Sequence, residues 1–464
     1  MDVESLNPED GAELLTSLGV IGPEEEMQRA VEDMTGHAFG LVLLGRYLVD
    51  VIGDGDIHKR DHVKLLSGHV KGAEKAKVML QAYADWFGAE SAETAMLHLL
   101  GLFYRPVPMA ALQALVTKKV ISGLTEPFHA PDAPPLALVL RHLEELKLIT
   151  RPDAETVDGH PLVREHFGAA LEKKNFPEAW KQAHSRLFDH FCAIPDRDQP
   201  DGEAGLLPLY QSLHHGVAAG RAQEALDDVY YWRISHGGEA HGVKKLGLFS
   251  TELAALAAFF PGGWQAPVQE VTSSDQGYLS NSAGFCLRAL GRLKEAQIPF
   301  ERNLALYKKL DDHLRSAFDS NNLSEVLLVS GEFQTALERA NDAVSFIDRT
   351  EYKYRQSSYR AAQAHVLATQ GKTREAKVLF EDAEQRQIQG NPTLPYLYSV
   401  HGFLYILLPA SRSAAIGASR PCRTGAGGAR GCSTERSIAE HRPRPSESGP
   451  YRRTCRRRKH SRKT

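Results

Sequence analysis

Histidine is the side chain in this sequence with the widest chemical range, and the 464 residues include 20 copies. A neutral imidazole binds transition metals and exchanges protons near neutral pH. Four histidines fall on segments with helical periodicity: His184, His190, His214 and His215. None combines with a carboxylate at the i, i+4 spacing of zinc hydrolases. The five cysteines are not spaced as metal ligands either, so we predict reduced thiols, surface or core histidines, and no metal site.

A short string, GKT at Gly371–Thr373, has the form of the end of a phosphate-binding loop. That motif, G-x-x-x-x-G-K-[ST], needs a glycine where this chain has Val366, and a strand where the preceding segment has helical periodicity. No acidic metal-binding strand and no G-x-S-x-G serine motif is evident. The sequence therefore predicts that this chain has no catalytic residues and is not an enzyme.

His160 is a further candidate, in the stretch VDGHPLVREHF. It stands between Gly159 and Pro161, after an extended segment and before an amphipathic one. Two interpretations stay open at this point. Either the imidazole binds a ligand, or the Gly-His-Pro triplet only ends a strand and begins a helix. The choice between these two roles depends on the elements around His160.

These elements divide into four segments of a mainly α protein. Residues 1–75 have the pattern of short helices and predict a small helical bundle. Residues 76–172 contain three helical patterns and then two extended pieces around a turn-rich RPDAET, which is the order of a winged helix with a β-hairpin. Residues 173–405 have the pattern of helical hairpins. Residues 406–464 form a basic tail that is predicted to be disordered.

An internal repeat runs through the third segment. The strings GRLKEA, GEFQTA and GKTREA begin at Gly291, Gly331 and Gly371, 40 residues apart, and a fourth copy, GRAQEA, begins at Gly220. Glycine permits the left-handed turn between two helices, and the alanine five positions later suits their close approach. The G-x-x-x-x-A turn resembles the tetratricopeptide repeat, whose period is about 34 residues, so we predict an α-solenoid of such helix pairs with longer helices or loops.

A solenoid of this kind exposes a concave surface lined by the first helix of each pair. We therefore predict binding of a protein partner there. The candidate contact residues are polar residues of the first helices: Asn281, Asn322, Ser324 and His365.

The net charge of −3 hides an asymmetry. Residues 412–464 contain 13 Arg, 2 Lys and 3 acidic residues, so the rest of the chain is acidic and has no footprint for nucleic acid. The tail either binds nucleic acid or acidic membrane through its arginines, or results from a frameshift near residues 405–412. The acidic start, MDVESLNPEDG, is not a signal peptide, and no apolar run reaches about 18 residues, so we predict a cytoplasmic protein and, apart from the tail, no membrane contact.

Together these modules resemble a known family. GHAFGLVLLGRYL is similar to the G-x-P-L-A-L helix of the STAND-type signalling NTPases, the class that includes the NB-ARC and AP-ATPase proteins. The segment ending in GHPLVREHF resembles their winged-helix regulatory subdomain, and the repeats resemble the sensor arm of bacterial members. The resemblance covers about residues 5–405 and implies a regulatory and sensor fragment that gates an ATP/ADP switch in a full-length relative.

The resemblance also implies site residues. His160 matches the family histidine that contacts the ADP phosphates, and Gly36 and Ala38 lie in the segment beside the adenine. Ala38 replaces the usual Pro, and Pro161 stands where Asp follows the histidine. We expect the P-loop domain itself to be absent from this chain or to lie on a separate chain, so that ADP or ATP is a cofactor of full-length relatives only.

An alternative function is a transcription regulator that binds DNA through the winged helix and carries a repeat sensor. Helices that read DNA normally carry several Arg or Lys. The third helix of the module, LALVLRHLEELKL, offers Arg141 and Lys147 against Glu144 and Glu145, and is otherwise mostly apolar. This composition favours a packed helix over one that reads DNA.

Overall fold

The computed structural model describes residues 5–62, 72–174, 177–394, 396–397 and 399–408, without the side chains of 62, 173 and 174. The described chain is mainly helical, and its C-terminal half consists of paired helices, which confirms the predicted fold class. The predicted basic tail lies outside the described residues from 409 onward. Two compact units share the chain: residues 1–196 with 211–225, and residues 197–210 with 226–464.

The first unit contains nine helices and three strands among its described residues, followed by the end of α10 and the single turn α11. Three further segments are not α-helical: a π-helical segment, Tyr47–Ile52, continues α3, and 3₁₀ segments cover Ile57–His62 and Glu126–Phe128. The bounds of the regular elements are α1 Pro8–Ser17, α2 Glu24–Asp33, α3 Ala38–Arg46, α4 Gly72–Phe87, α5 Ala92–Leu100, β1 Val107–Pro108, α6 Met109–Val116, α7 Leu136–Glu145, β2 Ile149–Asp153, β3 Thr156–Gly159, α8 Pro161–Lys174, α9 Pro177–Ala193, α10 Glu203–Ala218 and α11 Ala222–Glu224.

One continuous hydrophobic core joins the predicted bundle to the module that follows it. The core includes Leu15 and Leu44 from α1 and α3 together with Leu99 and Phe167 from α5 and α8, all at most 1% exposed. At the start of the bundle, the Asn7 side chain accepts a hydrogen bond from the Asp10 backbone at 2.8 Å, and Pro8 is the first helical residue. Asn7 as N-cap and Pro8 as the first helical residue thus start α1.

The three strands form one antiparallel sheet in the order β1-β3-β2. Val107 pairs with Val157, and Ile149 pairs with Gly159, so that β2 and β3 make a hairpin and β1, between α5 and α6, adds a third strand. The hairpin predicted around RPDAET is thus present as β2 and β3. α9, which the sequence analysis placed with the repeats, packs against α6 and α8 in the first unit.

The second unit consists of helices stacked in sequence order. The three central hairpins are α14–α15, α16–α17 and α18–α19, and α15 also packs on α16, as α17 does on α18. A π-helical segment, Ala225–Ile234, precedes them. The remaining bounds are α12 His241–Lys244, α13 Phe249–Leu256, α14 Ser273–Ala289, α15 Leu293–Lys309, α16 His313–Val329, α17 Phe333–Ile347, α18 Lys353–Thr369, α19 Thr373–Gly390 and α20 Ser399–Ile406.

The predicted repeat turns lie where the sequence places them. Gly291, Gly331 and Gly371 each separate the two helices of a hairpin with φ between 74° and 84°. The alanines five positions later, Ala296, Ala336 and Ala376, are fully buried, as is Ala225 after Gly220 in the first unit. The paired helices are 15–18 residues long, so longer helices account for the 40-residue period.

No helix in the described part of the chain is both long enough and apolar enough to cross a lipid bilayer.

Candidate functional site

A cavity of about 470 Å³ opens on the concave side of the helix stack in the second unit. Its walls come from the first helices of the three hairpins, α14, α16 and α18, and from the segment 397–404. We call it the groove. The second helices of the hairpins contribute little to its lining, because the turn glycines fold each of them back behind its partner.

All four residues predicted to contact a partner line this groove. Asn281 on α14 and Asn322 on α16 are half-buried, and their amides make no hydrogen bond within the described part of the chain. His365 on α18 is half-buried, and burial lowers the pKa of its imidazole against an opposing effect of Glu325. Ser324 differs, since its hydroxyl donates a hydrogen bond to the Ala336 carbonyl at 2.8 Å. Ser324 therefore joins α16 to α17, and the other three offer free polar atoms.

A charged cluster lies in the centre of the groove. Glu325 forms an ion pair with Arg288 of the preceding hairpin. The Asn321 amide donates to the other oxygen of Glu325 at 2.8 Å. Both charges of the pair are half-buried, so this carboxylate is already satisfied by the protein. The cluster fixes the spacing of α14 and α16 and leaves little net charge at this point.

Arg355 is a groove cation for which the described residues show no ion pair with a carboxylate. Its guanidinium lies 5.4 Å from the ring centroid of Phe318 and 5.7 Å from that of Tyr354. Aromatic faces hold a guanidinium in place without neutralising it. Arg355 is therefore positioned to bind an anionic group of a partner.

Arg288, Glu325 and Arg355 were not predicted from the sequence. The 40-residue repeat period nevertheless indicates one of them, Glu325. Residues 285, 325 and 365 occupy the same position in three successive repeats, and all three line the groove. Once His365 is a candidate, a 40-residue step back identifies Glu325, and a second step identifies Phe285. No such signal exists for Arg355, because its neighbours Phe318 and Tyr354 come from two different helices.

In the first unit, His160 is the residue that joins β3 to α8. Its Nδ1 accepts a hydrogen bond from the Leu162 backbone at 3.2 Å, so the neutral ring carries its proton on Nε2. The ring stacks on Phe39 of α3 with centroids 3.8 Å apart. Partial burial is the main cause that lowers the pKa of His160, and His37 and Arg164 act in the same direction. The capping role proposed from sequence is present, and a neutral Nε2–H remains to donate.

His37 repeats this arrangement at the start of α3. Its Nδ1 accepts from the Gly40 backbone at 3.1 Å, which also leaves a neutral ring protonated on Nε2. Two imidazole donors thus belong to neighbouring elements of the same unit. Such donors fit a phosphate oxygen. The sequence analysis did not select His37, although its place three residues before Gly40 is typical of a helix N-cap.

The other residues implied by the family resemblance have structural roles. Gly36 has φ 65°, and its carbonyl accepts from the Leu6 backbone at 2.9 Å. A Cβ at this position would collide with the Leu6 carbonyl oxygen. Ala38 is exposed and is the first residue of α3, a position that also accepts the proline of the family pattern. The residue types at positions 36 and 38 therefore follow from the backbone conformation and the start of α3, without a bound ligand.

The helix predicted to read DNA in the alternative function is α7. It buries Val139, Leu140 and Leu143 in the core. On its outer side Arg141 pairs with Glu145 at 3.4 Å, and Glu144 pairs with Arg151 at 2.7 Å. The few cations of this region are thus balanced by acids of the same region. No concentration of positive charge for DNA results on α7.

Comparisons with known proteins agree with the repeat architecture. A family model described as "Tetratricopeptide repeat" matches residues 277–349, which cover α14 to α17. No match was found among the curated proteins. Among solved structures, the chain is similar to a Signal Transduction ATPase with Numerous Domains (STAND) protein with a tetratricopeptide repeat sensor from Pyrococcus horikoshii. The identity is 14%, the TM-score is 0.33, and the match covers 84% of this chain and 55% of the other. The chain thus spans about half the length of that protein.

Proposed function

We propose that this protein binds a protein partner through the groove and acts as the regulatory and sensor part of a STAND-type signalling ATPase, without hydrolysing nucleotide itself. The observation that carries the first part is the groove. Half-buried amides without hydrogen bonds, a guanidinium held on aromatic rings and several aromatic faces meet in one concavity. Interfaces concentrate their binding energy in such aromatic and arginine anchors.

The groove also has a suitable shape for an extended segment of a partner. It runs across three successive first helices, so side chains from Asn281 to His365 lie along one direction of the stack. Asparagine amides can donate to and accept from the main chain of a bound peptide. Arg355 can hold one carboxylate. We therefore expect partner segments with at least one acidic residue.

The second part of the proposal rests on the order of modules and on His160. A helical bundle, a sheet-bearing module and paired helices follow one another, as the family resemblance implies. In a full-length relative, the Nε2–H of His160 would donate to an ADP phosphate held by a P-loop domain, and movement of the module would break that bond. In this chain His160 caps α8, and its Nε2–H is the donor that would reach such a phosphate.

Substitution of Asn322 by alanine is expected to weaken groove binding about tenfold, which corresponds to about 1.4 kcal/mol. The reason is that the half-buried amide lines the groove and makes no hydrogen bond within the described part of the chain, so its polar atoms are available to a bound peptide. The measurement starts from a displayed peptide library selected on the whole chain. The affinity of an enriched peptide for wild type and variant is then determined by fluorescence anisotropy.

Asn341→Ala is the matched control, because Asn341 lies exposed on α17 and does not line the groove. It should leave the affinity unchanged. Arg355→Gln should weaken acidic peptides more than neutral ones. If the enriched peptides bind Asn322→Ala and Asn341→Ala with the same affinity as wild type, the groove is not the binding surface.

The purified chain is expected to release no phosphate from ATP and Mg²⁺ above the rate of a buffer blank. The sequence has no phosphate-binding loop, and the only partial match, Gly371–Thr373, is a repeat turn at which Gly371 has φ 79°. Phosphate release is followed over hours at high protein concentration. Turnover that disappears in a single-residue variant such as His160→Ala would contradict the non-catalytic part of the proposal.

A further inference from the structure

We propose that Asp201, His236 and His241 form a binding site for a divalent transition metal ion of the zinc class. All three belong to the second unit: Asp201 lies just before α10, His236 follows the π-helical segment, and His241 is the first residue of α12. One ligand atom from each of the three lies within 4.8 Å of the other two. This site is independent of the groove and of the function proposed for it.

The donor set suits such an ion. Two imidazoles and one carboxylate are ligands of catalytic and regulatory zinc, and three protein ligands leave a position for water. The two rings stack with centroids 3.9 Å apart and planes 15° from parallel, so the two nitrogen ligands already lie next to each other. Ligand atoms around a tetrahedral zinc lie roughly 3–3.5 Å apart, given metal–ligand bonds of about 2.0–2.2 Å. Asp201 is the ligand that is free to move, since its side chain is exposed.

Backbone carbonyls favour the same tautomer in both rings, the one that leaves Nδ1 for a metal. His236 Nε2 contacts the Pro200 carbonyl at 3.1 Å, and His241 Nε2 contacts the Asp201 carbonyl at 3.1 Å. A carbonyl can only accept, so each Nε2 carries a proton and each neutral ring has its lone pair on Nδ1. Backbone carbonyls that orient metal-ligating histidines in this way are a recurrent feature of metal sites.

The structure leaves one of these lone pairs without a partner. His241 is 4% exposed, and its Nδ1 is buried with no hydrogen bond among the described residues. A buried polar atom without a partner is costly and calls for an explanation such as a missing ion. A metal ion bound to Nδ1 would supply the missing interaction.

The backbone between the two histidines is bent in an unfavourable conformation. His236 and Ala240 have φ of 53° and 54°, and Gly237 and Gly238 between them also have positive φ. Non-glycine residues are strained in this region and persist where the surroundings hold them. Here the bend returns the chain so that the ring of His241 stacks on that of His236. The strained loop thus assembles the two nitrogen ligands.

The third ligand comes from an anchored segment and stays reachable from solvent. Trp232 Nε1 donates to Asp198 at 2.8 Å, which ties the segment before Asp201 to the segment before His236. The Asp201 carboxylate itself is 73% exposed and pairs with Arg197 at 3.2 Å. An exposed ion pair of this kind is worth little, so the carboxylate can turn to a metal ion.

The first unit contains a competing cluster, His184, His214 and His215, whose ring nitrogens also lie within 4.8 Å of one another. There, Nδ1 of His184 and Nδ1 of His215 already share a hydrogen bond of 2.8 Å, and both residues are almost completely buried. No carboxylate joins them. We assign the metal to the Asp201 cluster and use the other cluster as the rival in the test.

The test is a titration of the whole, chelator-treated chain with Co²⁺, followed by visible d–d absorption, and then competition with Zn²⁺. We expect one bound Co²⁺ per chain. Asp201→Asn replaces the anionic ligand by an amide of the same shape and should weaken binding at least tenfold. His236→Gln should do the same, and circular dichroism verifies that each variant is folded. Binding should also raise the unfolding temperature of wild type and not that of Asp201→Asn.

Two variants serve as matched controls. Asp196→Asn removes another exposed aspartate of the same region, and His214→Gln removes a ligand of the competing cluster. Both should bind Co²⁺ as wild type does. The proposal is overturned if the chain takes up no Co²⁺ at micromolar concentration, if Asp201→Asn binds as tightly as wild type, or if His214→Gln is the variant that loses the ion.

Discussion

Replacement of Glu252 by glutamine is expected to stabilise the second unit at pH 8 by about 3 kcal/mol relative to wild type, and by far less at pH 5. Glu252 is completely buried, and burial raises the pKa of its carboxyl to about 7. The hydroxyls of Tyr210 and Tyr230 donate to its two oxygens at 3.0 and 2.8 Å and only partly offset this effect. A glutamine keeps the shape and never acquires a charge.

The sign follows from proton linkage. Between the ordinary glutamate pKa of 4.5 and about 7, the native state holds the proton that the unfolded state has released. The free energy of unfolding of wild type therefore falls as the pH rises through this range, by about 1.4 kcal/mol per unit. Above about pH 7 the contribution is lost and the curve becomes flat. The glutamine variant lacks this dependence.

Hydrogen exchange of peptides from α13 and α14, measured from pH 5 to pH 8 and corrected for the intrinsic rate, reports on the second unit alone. Glu301→Gln is the control, because Glu301 is exposed on α15. Its pH profile should follow that of wild type. A Glu252→Gln profile parallel to wild type would show that the carboxyl is ionised in the native state at neutral pH.

Substitution of Gly101 by alanine is expected to destabilise the first unit by about 3 kcal/mol. Gly101 directly follows α5 and meets Gly168 of α8. A Cβ on Gly101 would lie 2.6 Å from the Gly168 Cα and closer still to its amide nitrogen. These are backbone atoms and cannot rotate away, so the two helices must separate. Separation would open the core around Phe167, which is 1% exposed.

The measurement is urea unfolding of the whole chain, with hydrogen exchange of α5 and α8 to locate the effect. Gly159→Ala is the control in the same unit, since a Cβ there meets its nearest neighbour, Arg164, at 3.7 Å. It should change the free energy of unfolding by less than about 0.5 kcal/mol. Equal effects of the two substitutions would show that the close approach of Gly101 and Gly168 does not limit stability.

Features set by local chemistry were predictable from the sequence. The turn glycines 291, 331 and 371 lie at helix junctions because the left-handed conformation is a local property of glycine. The extended pieces around RPDAET pair as β2 and β3 for a similar reason, since a turn joins two neighbouring segments. The four residues chosen from the first helices line one cavity because the hairpin geometry places those helices side by side.

Features that depend on distant residues were not predictable. In the sequence, nothing distinguishes Glu252 from an exposed helix glutamate. Its burial depends on Tyr210 and Tyr230, which come from two other elements. Asp201 and His236 similarly come from separate segments of the chain and meet only in the fold. Ser324 was selected as a contact residue for its polarity, although its hydroxyl bonds to the Ala336 carbonyl. A single sequence contains no signal for these pairings.

The equal spacing of the hairpins affects how such a protein can change over generations. α15 packs on α16 as α17 packs on α18, so consecutive hairpins meet through equivalent faces at a constant step of 40 residues. Duplication or loss of one whole step in the gene would recreate a junction of the same type. The groove can therefore be lengthened, shortened or recombined in whole units without a new fold.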